Sequence, residues 1–144
     1  MSSPPPARRI LVVCLGNWCR SPMAAAAIAR HGGPRVEVRS AGLAGKHAGQ
    51  PAHPAMITAA AALGYDLAGH RAQQVTSGLL RWADVILAMD TSVLASLQDL
   101  LTGQDPSGLR LYLPGQDVPD PLGSSDEVFA ACAAMIEAGA DQDF

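Results

Sequence analysis

Apolar residues fall along this chain in short runs separated by polar, glycine-rich and proline-rich segments, and the period of each run assigns an element. Ile10-Leu11-Val12-Val13 is unbroken and aliphatic, as expected of a strand buried on both faces of a parallel sheet. Ser21 can act as an N-cap with Pro22 at the first helical position, and Met23 to Arg30 is rich in helix formers until His31-Gly32-Gly33-Pro34 stops it. Val36 to Ser40 alternates and predicts a second strand at a sheet edge, so that strand, helix and strand form a βαβ unit of about 30 residues.

Beyond a glycine-rich loop over 41–50, Pro51 to Gly64 reads as a helix closed by its terminal glycine. Residues 66–76 are loop and Ser77 to Trp82 a short helical turn. Asp84 to Met89 is the third and most apolar strand. Asp90-Thr91-Ser92 then caps a helix running to Leu101 and ending at Gly103. Leu109 to Leu113 predicts a fourth strand and Pro114 to Gly123 a turn-rich segment. Ser124 or Ser125 opens a last helix, whose apolar positions Val128, Cys132, Met135 and Ile136 share one face. Alternating strands and helices predict an α/β fold: an open, doubly wound, four-stranded parallel sheet with helices on both faces.

The 144 residues suit one domain over 8–140, with residues 1–7, three consecutive prolines among them, as a disordered lead-in and 141–144 as a frayed tail. Charge is split along the chain: residues 1–72 carry eight Lys and Arg against Glu37 and Asp66, net +6, and residues 73–144 carry Arg81 and Arg110 against eleven acids, net −9. A net charge of −3 argues against a general nucleic-acid binder. Three cysteines are too few for a disulfide scaffold and lack the paired spacing of a zinc site, so a reducing compartment and no metal are expected. Arg8-Arg9 before the first apolar run mimics a signal sequence, but that run ends at Gly16-Asn17, and no segment approaches the ~20 apolar residues of a membrane span. A cytoplasmic location without membrane insertion follows as the expectation.

The stretch Val13-Cys14-Leu15-Gly16-Asn17-Trp18-Cys19-Arg20-Ser21-Pro22 carries the chemistry. A strand leads into a thiol, then a short loop, then a helix N-terminus, where backbone N–H groups can turn inward around an oxyanion. The N–H groups and the Arg20 cation both favour a thiolate at Cys14. Such a thiolate can attack phosphorus in line while Arg20 holds two oxygens in a fork. Neither cofactor nor metal is needed. A leaving oxygen needs a proton, and Asp120, stiffened by Pro119 and Pro121, is the candidate acid, with Asp117 as its competitor.

With CLGNWCRSP directly after a strand near the N-terminus, the chain resembles the low-molecular-weight protein tyrosine phosphatase family in its bacterial type. The ordered segments Ser40-Ala41-Gly42, Gly69-His70-Arg71-Ala72-Gln73-Gln74, Ala88-Met89-Asp90 and Asp120-Pro121 extend the resemblance over nearly the whole chain. It implies a phosphotyrosine protein phosphatase I-like fold, with Cys14 as nucleophile, Arg20 as phosphate ligand and Asp120 as general acid and later base. It also implies a phosphate loop of Leu15, Gly16, Asn17, Trp18 and Cys19, with Ser21 bonded to the thiolate and Asn17, Ser40 and His70 holding the loop open. A reversible Cys14–Cys19 disulfide is implied in the same way.

The resemblance further implies a phosphotyrosine protein as substrate. The segments over 40–45 and 69–72 look most like members acting on bacterial tyrosine autokinases of exopolysaccharide export. Two departures stand out. Leu122-Gly123 follow Asp120-Pro121 where aromatics are usual, and Trp18 stands where Ile or Val is usual. Either Trp18 supplies the missing ring contact or it packs against the scaffold. The alternatives are a related arsenate reductase, which would need two further cysteines around 84–96, an arginine phosphatase, which tends to carry a small Thr in place of Trp18, and a non-catalytic phosphate-binding module, which would lose Cys14 or Asp120.

Overall fold

A computed structural model of the chain describes residues 5–144. Residues 1–4 of the expected lead-in lie outside the described residues, and 5–7 carry no regular secondary structure. The strands are β1 (Arg8–Cys14), β2 (Val36–Gly42), β3 (Val85–Ala88) and β4 (Leu109–Leu111). The helices are α1 (Arg20–Gly32), α2 (Pro54–Ala62), α3 (Ser77–Trp82), α4 (Thr91–Leu100) and α5 (Asp126–Gly139). All strand pairs are parallel, in the order β2-β1-β3-β4.

The side-chain alternation of β1 divides the interior into two layers. Ile10 and Val12 join α1, α2 and α5 through Met23, Ile28, Met56, Phe129 and Ile136. Leu11 and Val13 face the other way, toward Leu80 of α3 and Val93 and Leu97 of α4. Ile10 to Val13 are fully buried, each contributing roughly 1.5–3 kcal/mol of burial free energy, which explains a run with no polar face. Because the chain leaves β1 for β2 on one side and returns to β3 on the other, winding reverses at the C-terminal end of β1, where open α/β sheets bind ligands. Cys14 is the last residue of that strand. Among the described residues no helix is long and apolar enough to cross a membrane.

Several local expectations need correction. Ser21 is not the N-cap of α1: the helix begins at Arg20 with Cys19 in the cap position and no side-chain cap. The Ser21 hydroxyl is instead turned toward Cys14. The second helix starts at Pro54 rather than Pro51, because His53 Nδ1 accepts the Ala55 N–H at 3.0 Å and acts as the cap. In α5 the buried face is Phe129, Cys132, Ala133 and Ile136, while Val128 is exposed. At the C-terminal end, Gln142 Nε2 donates to the carbonyls of Tyr112 and Gly139, both at 2.8 Å, and Phe144 stacks on Tyr112.

Candidate active site

The loop between β1 and α1 is shaped by where its carbonyls go. Cys14 O accepts from Leu43 N at 3.0 Å, Leu15 O from Ala44 N at 2.8 Å, Asn17 O from His70 Nε2 at 2.9 Å and Trp18 O from His53 N at 3.0 Å. A planar trans peptide points its N–H opposite to its carbonyl. The N–H groups of Leu15, Gly16, Trp18 and Cys19 therefore turn toward the inside of the loop. Asn17 N–H also points inward and donates to Cys14 Sγ at 3.2 Å. The first turn of α1 adds N–H groups with no intrahelical partner. The outcome is a ring of inward-facing donors, with the Asn17 N–H and the Ser21 hydroxyl at Cys14 Sγ.

Asn17 holds the ring together. It is the one non-glycine residue with a left-handed backbone among those described, φ 53°. Its side chain is fully buried, with Nδ2 donating to Ser21 Oγ at 2.8 Å and Ser40 Oγ at 2.9 Å while Oδ1 accepts Gln73 N–H at 2.9 Å. Because the Ser21 oxygen already accepts from Asn17, its own proton is free for Cys14 Sγ, 3.0 Å away. Gly42 is needed beside this loop: a Cβ there would lie 2.7 Å from the Gly16 carbonyl carbon and 2.8 Å from Asn17 N. Burial lowers the pKa of His70, with the Arg71 charge acting in the same direction against the Asn17 carbonyl, so a neutral ring donates from Nε2.

Arg20 is buried, and its Nη1 is taken by Asp90 Oδ2 at 2.7 Å and Val118 O at 2.8 Å. Burial works against the guanidinium charge, but the Asp90 hydrogen bond and the nearby Cys14 and Asp120 raise its pKa overall. Asp90 is affected in the opposite sense: burial raises its pKa, and the bonds from Arg20 and from Val93 N–H outweigh that and lower it. Nη2 points toward Asp120, with Oδ2 at 3.9 Å. The other Asp120 oxygen, Oδ1, accepts Leu122 N–H at 3.1 Å.

Cys14, Leu15, Gly16, Trp18, Cys19, Arg20 and Asp120 line one cleft of about 170 Å³, with Ala44, Lys46, His47 and Leu122 completing its rim. Asn17, Ser21, Ser40 and His70 lie behind it as a hydrogen-bonded support. Of the residues singled out from sequence, all but Asp117 thus come together. Asp90 and Gln73 are additions to that set. Their motifs, Ala88-Met89-Asp90 and Gly69 to Gln74, were visible, but their partners were not. Asp117 is set apart from the cleft, with both its oxygens on Thr91.

Of the two readings that the sequence left open for Trp18, packing on the scaffold is seen. The side chain packs against the core and lines the cleft, stacked on His47 at a centroid distance of 3.9 Å with His53 edge-on at 4.5 Å. His53 in turn stacks on Phe129 of α5 at 4.8 Å. Cys19 and Cys132 are free thiols. Burial pushes Cys19 up to about 12, helped by the Asp120 charge, and pushes Cys132 up to about 11.

The family model described as low molecular weight phosphotyrosine protein phosphatase matches residues 9–143. Among relatives, the probable low molecular weight protein-tyrosine-phosphatase EpsP of Ralstonia nicotianae is 41% identical over 135 residues, covering 93% of this chain and 92% of the relative. Among solved structures, Vibrio vulnificus Wzb in complex with benzylphosphonate superimposes with a TM-score of 0.86 at 31% identity, covering 93% and 94% of the two chains. The YwlE arginine phosphatase from Geobacillus stearothermophilus gives a TM-score of 0.84, also at 31% identity, covering 93% and 88%. A match over nearly the full length, on a chain whose signature loop, buried arginine and Asp-Pro turn meet in one cleft, places it in the low molecular weight phosphotyrosine protein phosphatase family.

Proposed function

We propose that this phosphatase hydrolyses phosphotyrosine monoesters through a phosphocysteine on Cys14. The observation that carries the reading is the set of outward-held carbonyls, which aims the loop N–H groups at the space above Cys14 Sγ. Three equatorial oxygens of a phosphoryl group would meet those donors and the free edge of Arg20, whose Nη1 is already fixed. Cys14 sulfur attacks phosphorus, the bond to the phenolic oxygen breaks, and Asp120 Oδ2 passes its proton to that oxygen. Water then attacks phosphorus, Asp120 takes the water's proton, and the P–S bond breaks to return the thiolate. Ser21 donates to the sulfur when it leaves. The proposed chemistry runs on this chain's side chains and backbone donors and on water, with no cofactor or metal.

Tyrosine is favoured over arginine by the wall at Trp18, which fills with indole the position where a small residue would admit a guanidinium. The benzylphosphonate held by the Vibrio relative, a phosphonate with a phenyl ring, supports a ring-bearing substrate. As protein substrate we infer a bacterial tyrosine autokinase of exopolysaccharide export in the cytoplasm, supported by the likeness over residues 40–45 and 69–72 and by the identity with EpsP. No nucleic-acid partner is proposed. A panel of phosphotyrosine peptide, phosphoserine peptide, phosphoarginine and arsenate, with wild type and Cys14→Ser, tests the reading. Phosphotyrosine should be turned over by the wild type alone, with a phosphoryl adduct on Cys14 trapped by acid quench. Turnover by Cys14→Ser, or preference for phosphoarginine, would overturn it.

A further inference from the structure

We propose that Asp117 is a positioning residue for the general acid, clasping the turn that carries Asp120 to the start of α4. The inference rests on the reading of Asp120 as acid. Both Asp117 oxygens are engaged by one residue: Oδ1 accepts Thr91 N–H at 2.9 Å and Oδ2 accepts the Thr91 hydroxyl at 3.2 Å. Thr91 is the first residue of α4, where the N–H has no intrahelical partner and a carboxylate is favoured by the helix dipole. The same helix end, through Asp90, holds Arg20. One helix terminus therefore registers both the phosphate-binding cation and the acid-bearing turn.

The path from Asp117 to Asp120 is short and stiff. Val118 is fully buried, with its N–H on Met89 O at 2.8 Å and its carbonyl on Arg20 Nη1 at 2.8 Å. Pro119 and Pro121 fix φ on either side of the acid. A displacement at residue 117 has little slack in which to dissipate before reaching the Asp120 carboxyl. Asp117 cannot be the acid in this arrangement, because its oxygens face Thr91 and it does not line the cleft.

A leaving-group series reads acid placement directly, since only substrates with poor leaving groups depend on the proton. The slope of log kcat/KM against leaving-group pKa is measured over aryl phosphates for wild type, Asp117→Ala, Asp117→Asn and Asp120→Ala. Asp117→Ala should lose about 5- to 10-fold on phenyl phosphate and under about 2-fold on p-nitrophenyl phosphate, with inhibition by inorganic phosphate within about 2-fold of wild type. Asp117→Asn keeps an acceptor for Thr91 N–H and offers an amide donor to the hydroxyl, so it should restore the wild-type slope. Equal losses on both substrates, or an Asn variant as poor as Ala, overturns the clasp. If Asp120→Ala steepens the slope and Asp117→Ala does not, the clasp alone is wrong. If Asp120→Ala leaves the slope unchanged, the acid assignment itself fails. Should Asp117→Ala fold poorly, Thr91→Val, which keeps the backbone donor and deletes the hydroxyl, must shift the slope in the same direction.

Discussion

Trp18 and His47 lie face to face at the rim of the cleft, 18° from parallel, and His53 meets the indole in an edge contact at 4.5 Å. Removing the indole therefore disturbs a wall and a structural stack together. Trp18→Ala should lower stability by about 2 kcal/mol in urea unfolding, the scale of two aromatic contacts plus partial burial. KM for a phosphotyrosine peptide should rise several-fold while inhibition by inorganic phosphate stays near wild type, because the proposed phosphate donors are the loop N–H groups and Arg20, not the indole. A Trp18→Ala variant with unchanged KM would show that the substrate ring never reaches this wall.

Asp90 serves two structures with its two oxygens. Oδ1 caps α4 by accepting Val93 N–H at 2.8 Å, and Oδ2 holds Arg20. Asp90→Ala should cost about 1 kcal/mol for the cap and a further 2–3 kcal/mol for stranding a buried guanidinium. Asp90→Asn keeps the cap through its one oxygen, so its stability loss should be smaller, but it turns an amide donor toward Arg20 Nη1 and the guanidinium loses both that acceptor and its counter-charge. Inorganic phosphate inhibition should weaken in both variants. Asn with full stability and unaltered phosphate affinity would show that the charge at Asp90 does not orient Arg20.

These two residues mark where sequence reading stopped. The first strand, the loop, the helix after it and the alternation of the remaining elements were legible because apolar runs, prolines and glycines are local signals. Asp90 was readable as a cap, since capping is decided within a turn, but its second oxygen is committed to a residue seventy positions away. The cap reading of Ser21 failed for the same reason: a serine at a helix start signals a cap, and the approach of Cys14 and Asn17, which only the family resemblance implied, redirects it. In α5 every position from Val128 to Ile136 is apolar, so the pattern carries no phase, and the buried face is set by packing on α1 and α2.

His70 gives the fold a pH dependence with a definite sign. Its pKa is lowered in the folded protein, so the unfolded chain binds the proton more readily. Its contribution is complete above the ordinary histidine value of about 6.5 and declines as pH falls below it. Wild type should lose more thermal stability between pH 7.5 and pH 5 than His70→Gln, a comparison that cancels titrations common to both. Parallel losses would mean that the Asn17 carbonyl is held equally well by a protonated ring.

Asn17 combines a left-handed backbone with a three-bonded buried side chain, and two substitutions separate these roles. Asn17→Gly removes the hydrogen bonds but tolerates φ 53°, whereas Asn17→Ala removes the same bonds and adds the left-handed penalty of about 1 kcal/mol. Both leave Ser21 Oγ, Ser40 Oγ and Gln73 N–H without this partner, each costing about 1 kcal/mol. The Gly variant should be the more stable of the two in denaturant titration, and both should lose activity through a loosened donor ring. Equal stabilities would place the backbone strain elsewhere. A Gly variant with wild-type kcat/KM would show that the outward carbonyl bonds alone keep the ring in shape.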